Sequence, residues 1–215
     1  MKKPYVVSSD LGLVLERRAG RKLSKSGLFN FRQQVRRSLE ECFGFGSCDW
    51  VPEDELQEGM EFLRAKHDGL PLVSFDKVYS DNLVYEYDVS RMVGRNGWDA
   101  GYGTTTGRPM DLREIVEDAA RWLKKGEAAF VDDVIFSGAL FERLIDLFAE
   151  RGIRIVHAYA GVAIQDGIER LKKKGCTVHA VRTYREVVDE ICERDFMPGA
   201  PLSGRTVNEM VNTGM

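Results

Sequence analysis

The sequence predicts a single α/β domain, with a central, mostly parallel sheet flanked by helices and a small hood or cap drawn from its N-terminal and C-terminal ends. Three observations predict it. After Gly126, apolar strands and amphipathic helices alternate in strict βαβαβα order. Those strands are near-continuous apolar runs, the pattern of a sheet covered on both faces. A chain of 215 residues also suits one substantial core better than two large domains.

Taken in order, Tyr5-Val6-Val7 and Leu11-Gly12-Leu13-Val14-Leu15, separated by Ser8-Ser9-Asp10, read as a hairpin or two short strands. A helix follows from about Ser26 to Cys42, because Leu28, Phe31, Val35 and Leu39 recur at helical spacing. Gly44-Phe45-Gly46-Ser47 breaks it. Val51-Pro52-Glu53-Asp54 opens another helix, with proline in a tolerated first-turn position and acids at the positive end of the dipole. Leu56, Met60 and Leu63 give that helix one apolar face. Residues 1–69 thus form a cap, residues 70–195 the core, and residues 196–215 a turn-rich tail that completes the hood.

Within the core, Leu72 to Phe75 and Leu83 to Val89 read as strands. Gly94 to Gly107 holds five glycines and three consecutive threonines, so it reads as a loop long enough to suspect function. Asp111 and Glu114 make a capping-box pair at the head of a helix that Gly126 terminates. Strand Ala128 to Val134, helix Ala139 to Glu150, strand Ile153 to Ile164, a helix closed by Gly175, strand Thr177 to Val181 and helix Arg185 to Glu193 follow.

Charge narrows the function classes. Thirty-one Lys and Arg against 34 Asp and Glu leave a net charge of −3, so no global positive field draws the chain to nucleic acid or to an anionic membrane. No apolar run reaches signal-peptide or membrane-spanning length, from which a cytoplasmic protein is expected. Cys42, Cys48, Cys176 and Cys192 are scattered, as are His67, His157 and His179, which argues against a structural zinc site and for reduced thiols. There is no internal repeat.

The chemistry concentrates at Val131-Asp132-Asp133-Val134-Ile135-Phe136-Ser137-Gly138-Ala139-Leu140. Two acids at the carboxyl end of a buried strand are costly unless they face a crevice, and ligands of open α/β sheets bind in that crevice. Ser137-Gly138-Ala139 then turns tightly into a helix, where small residues let backbone N–H groups approach an anion. Acids for hydroxyls and amides for phosphate together suit a sugar phosphate. A cap on the turn and a tight bend are the purely structural alternative.

Extended back to Ala128, that string resembles the signature of the type I phosphoribosyltransferases: four apolar residues, Asp-Asp, an apolar residue, two variable ones, Ser or Thr, then Gly and Gly or Ala. The resemblance implies transfer of a ribosyl group from phosphoribosyl pyrophosphate to a nitrogen nucleophile such as a nucleobase, with release of pyrophosphate. It implies that Asp132 and Asp133 hold the ribose hydroxyls and act in catalysis, and that Val134, Ile135, Phe136, Ser137, Gly138, Ala139 and Leu140 form the 5-phosphate loop. Magnesium is implied as cofactor, bound mainly through substrate oxygens, with Asp132 and Asp133 as the candidate protein ligands. A homodimer is implied as well. Lys77, Arg91, Arg95 and Arg108 are candidates for the pyrophosphate side. Asp195 and Phe196, after the last helix, are candidates for the acceptor pocket, Phe196 by stacking on a ring. The sequence departs from the family at Leu140, where a Thr is usual, and at the bulky Phe136.

The same features fit a catalytically silent relative that senses phosphoribosyl pyrophosphate or a nucleotide. Ser8-Ser9-Asp10-Leu11-Gly12 suggests a haloacid-dehalogenase-like phosphatase, but Gly12 stands where the second acid of that chemistry is needed. No G-x-G-x-x-G opens a helix after a strand, and no glycine-rich loop ends in Gly-Lys-Ser/Thr.

Overall fold

The computed structural model describes residues 3–66, 69–75, 85–87, 89–93, 99–103, 110–123, 126–196 and 206–207. The chain runs β1 (Tyr5–Ser8), α1 (Leu11–Ala19), α2 (Lys25–Phe43), β2 (Cys48–Val51), α3 (Glu53–Ala65), β3 (Leu72–Ser74), β4 (Tyr85–Glu86), β5 (Ser90–Val93) and β6 (Asp99–Gly103). It continues through α4 (Leu112–Trp122), β7 (Gly126–Ile135), α5 (Ala139–Glu150), β8 (Ile153–Ile164), α6 (Gln165–Lys173), β9 (Thr177–Tyr184) and β10 (Asp189–Cys192). A 3-10 turn, Glu193–Phe196, and β11 (Thr206–Val207) end it.

The core is the parallel sheet β4-β3-β7-β8-β9, with β7 in the middle. Residues of β7 face two apolar layers. Ala128 and Phe130 pack with α4, α5 and α6 through Ile115, Val116, Phe141, Leu144, Phe148 and Leu171. Ala129 and Val131 pack with α3 through Leu56 and Met60. Both faces are covered, as near-continuous apolar strands require.

The hood is a second parallel sheet, β10-β1-β2, with Tyr5, Val7, Leu39 and Ile191 at the centre of its own apolar cluster. Val6, Val14 and Val51 reach past it into the layer that contains Leu56 and Met60, so hood and core share apolar contacts.

Several elements differ from the sequence expectation. Leu11 to Leu15 is helical rather than a strand: Leu11 and Val14, three residues apart, are both buried, and carboxylates from remote positions serve the first turn of α1. Glu193 accepts from the Leu11 amide, and Glu53 from the Gly12 and Leu13 amides. Residues 185–193 do not form a helix; β9 extends to Tyr184 and the chain returns as β10 beside β1, because strand pairing there outweighs weak local helix propensity. Cys48 to Val51 is a strand that local pattern alone did not reveal. In the glycine-rich segment, Asp99–Gly103 pairs antiparallel with β5, so that stretch is not wholly loop; residues 94–98 and 104–107 lie outside the described residues. Helix α4 ends at Trp122, and Gly126, at φ +146°, opens β7 rather than closing the helix.

Candidate functional site

Strand β7 carries Asp132 and Asp133 at its carboxyl end, on the middle strand of the core sheet. The alternation of faces slips at this pair. Phe130 and Ile135 share one apolar layer, and Val131 and Val134 the other, which strict alternation forbids for residues an odd number apart. The neighbouring strand makes room with Gly161, where a Cβ would sit 3.0 Å from the Asp133 carbonyl oxygen. The slip re-aims the acids, as irregularities beside active sites often do.

The turn that follows is built from backbone. Gly138 adopts φ +70°, a left-handed conformation that favours glycine, and caps α5 with no side-chain bond of its own. Ser137 Oγ accepts from the Ala139 amide at 3.4 Å. The loop also lies directly on α6. A Cβ at Gly167 would be 2.5 Å from the Phe136 carbonyl oxygen, and one at Gly138 would be 3.1 Å from Gly167 Cα. Amides of a first helical turn lack intrahelical acceptors, so this arrangement offers an anion backbone donors at the positive end of α5. Phe136 is exposed, whereas Leu140 packs against the apolar core layer and offers no hydroxyl.

Asp133 is held from three sides. Its Oδ1 accepts from the Val134 amide at 2.7 Å, and its Oδ2 accepts from Cys192 Sγ at 2.9 Å and from Arg194 Nη2 at 2.6 Å. Arg194 reaches back into the hood, with Nη1 2.7 Å from Asp10 Oδ2 and its backbone amide donating to Asp10 Oδ1 at 3.0 Å. Asp10 is fully buried. Burial, reinforced by the Asp133 charge, pushes the Cys192 thiol well above its usual range, which keeps it a donor.

Two further acids line the same junction. Glu190 accepts from Ser8 Oγ at 2.6 Å, and burial together with the Asp133 charge pushes its carboxyl up to about 8. Glu193 is fully buried and accepts from Arg32 Nε at 2.7 Å and Nη2 at 3.0 Å. Arg32 is held above its ordinary value chiefly by that bond.

The structure therefore brings Asp133 together with hood residues that sequence reasoning did not single out for the site: Asp10, Cys192 and Arg194. One signal was available, because Asp10 lies two residues past the end of the buried strand β1, close to the kind of position that marked Asp132 and Asp133. Phe196 packs beside the apolar cluster of the hood, and Asp195 lies in the same 3-10 turn as Arg194. Lys77, Arg95 and Arg108 lie outside the described residues, and of Arg91 only the backbone, on β5, is described. His157 and His179, distant in sequence, lie side by side on β8 and β9 at 3.1 Å.

Among the described residues no group of three or more His, Cys, Asp or Glu side chains is placed to hold a metal. No described helix is long and apolar enough to cross a membrane.

No protein-family model matches the chain, and no curated protein does. Among solved structures, it is similar to the TT1426 protein of Thermus thermophilus, at 17% identity over 61% of this chain and 82% of that one, with a TM-score of 0.36. An adenine phosphoribosyltransferase from Thermoanaerobacter pseudethanolicus is 12% identical over 60% and 80%, with a TM-score of 0.33. An orotate phosphoribosyltransferase from Aeropyrum pernix is 16% identical over 78% and 84%, with a TM-score of 0.35. Independently of these likenesses, the chain's own parallel sheet sets the diacid and the tight turn at the end of its middle strand.

Proposed function

We propose that the chain binds phosphoribosyl pyrophosphate at Asp132 to Leu140 and transfers the ribosyl group to a nitrogen nucleophile, a nucleobase or related heterocycle. The observation that carries this reading is the placement of two carboxylates immediately before a left-handed Gly138 turn into α5, on the middle strand of a parallel sheet. Carboxylates suit ribose hydroxyls, and the turn suits the 5-phosphate.

In the reaction the bond from C1 to the pyrophosphate oxygen breaks and a bond from C1 to the acceptor nitrogen forms, with loss of a proton from that nitrogen. Positive charge builds on the ring in between. Asp132 and Asp133 orient the ribose and favour that charge, and the amides from Phe136 to Leu140 fix the 5-phosphate end. The residues fit a magnesium ion carried by the substrate rather than an all-protein site: Asp132 and Asp133 are hard carboxylates, and Asp133 also faces the Arg194 guanidinium. When bound, magnesium supplies charge to the departing pyrophosphate. Lys77, Arg91, Arg95 and Arg108 are the basic residues proposed to assist it, and Asp195 and Phe196 flank the acceptor side.

A second reading is favoured by Leu140, whose side chain goes to the core where the family has a phosphate-binding hydroxyl. On that reading the chain binds the sugar phosphate without turnover, as a sensor. Calorimetry with magnesium and phosphoribosyl pyrophosphate, run beside a transfer assay over a panel of nucleobases, tests both. Binding with pyrophosphate release is expected. Binding without release favours the sensor, and no binding removes both readings.

A further inference from the structure

We propose that Arg194 is the positioning residue for Asp133, so that the hood sets the geometry of the ribose-binding carboxylate. This rests on the reading of Asp133 as a ribose ligand, and specifically as the acceptor for the ribose 2-hydroxyl. The link is one side chain that meets two carboxylates: Arg194 is only 12% exposed and lies between a core carboxylate on β7 and a hood carboxylate that follows β1.

Acceptor capacity argues for positioning rather than obstruction. A carboxylate offers about four acceptor positions. Asp133 commits one on Oδ1, to the Val134 amide, and two on Oδ2, to Arg194 and Cys192. Among the described residues that leaves one position on Oδ1, enough for a single ribose hydroxyl with Arg194 still in place. The three donors fix the carboxylate plane before any ligand arrives, and preorganisation of this kind lowers the ordering cost of binding.

Asp10 completes the device. It takes both a guanidinium nitrogen and the backbone amide of Arg194, which anchors main chain and side chain of the same residue. Arg is suited to this role because its planar fork spans two carboxylates at fixed geometry, which the single ammonium of Lys does not.

The test compares D-ribose 5-phosphate with 2-deoxy-D-ribose 5-phosphate, both titrated calorimetrically into the whole chain. Neither needs the pyrophosphate side. The wild type is expected to prefer the ribose form. Arg194→Gln should lose roughly tenfold in affinity for ribose 5-phosphate and less than twofold for the deoxy form, so the preference collapses. Arg194→Lys, which keeps the charge and guards against a folding defect, should fall between the two. Asp10→Asn should erode the preference in the same direction. Equal loss for both sugars, or an unchanged preference in a folded variant, overturns the positioning role while leaving sugar-phosphate binding intact. If the wild type binds neither sugar phosphate, the proposed function falls, and the role of Arg194 with it.

Discussion

The core sheet and the hood are both parallel sheets, yet different forces hold them. In the core, Ala128, Ala129, Phe130 and Val131 of β7 are almost wholly buried among apolar side chains from both faces. In the hood, burial extends to Ser8, Ser9, Asp10, Glu190 and Glu193, which are hydrogen-bonded or ion-paired across segments far apart in the chain. Apolar burial is non-directional and tolerant of local change. A buried polar network is stable only when every partner is present.

The largest effect is expected in the core. Phe130 is fully buried among the Phe75, Phe141 and Phe148 rings. Phe130→Ala should cost about 3–5 kcal/mol in urea unfolding and raise hydrogen exchange in both sheets. In the hood, Glu193→Ala strips Arg32 of its principal partner and the Leu11 amide of its acceptor, and should cost about 2 kcal/mol. Its hydrogen exchange should rise first in β1, β2 and β10. Equal exposure of β7 and β8 would break the distinction between the two regions.

Glu190 adds a pH dependence confined to the hood. Its carboxyl holds a proton up to about pH 8 in the folded chain, whereas an unfolded Glu releases it near pH ~4.3. The folded state therefore binds more protons across that window. Stability from this group is fully present at low pH, declines as pH rises by up to about 1.4 kcal/mol per unit, and levels off above about pH 8. Unfolding midpoints of Glu190→Gln should lack that decline, so the variant gains on the wild type between pH 5 and 8. A parallel pair of curves would contradict it. The smallest effect belongs to the surface: Arg154 pairs with Glu127 in full view of solvent, and Arg154→Ala should change stability by less than about 0.5 kcal/mol.

The same contrast explains what could be read from sequence. The order of strands and helices after Gly126 follows from apolar runs and glycine stops, and holds until Tyr184. The diacid turn was legible because two carboxylates on a buried strand have few structural uses. The hood was not, because β2 and β10 exist through pairing with β1, and residues 11–15 fold as helix with carboxylates supplied from Glu53 and Glu193. Arg194 meets Asp133 across 61 positions and Asp10 across 184, a separation no local pattern reports.

The most direct test of the central claim is a crystal structure of the chain with magnesium and phosphoribosyl pyrophosphate. Ribose hydroxyls are expected within hydrogen-bond distance of Asp132 and Asp133, and the 5-phosphate on the backbone amides between Phe136 and Leu140. Ligand bound elsewhere, with Asp132 and Asp133 untouched, would contradict it.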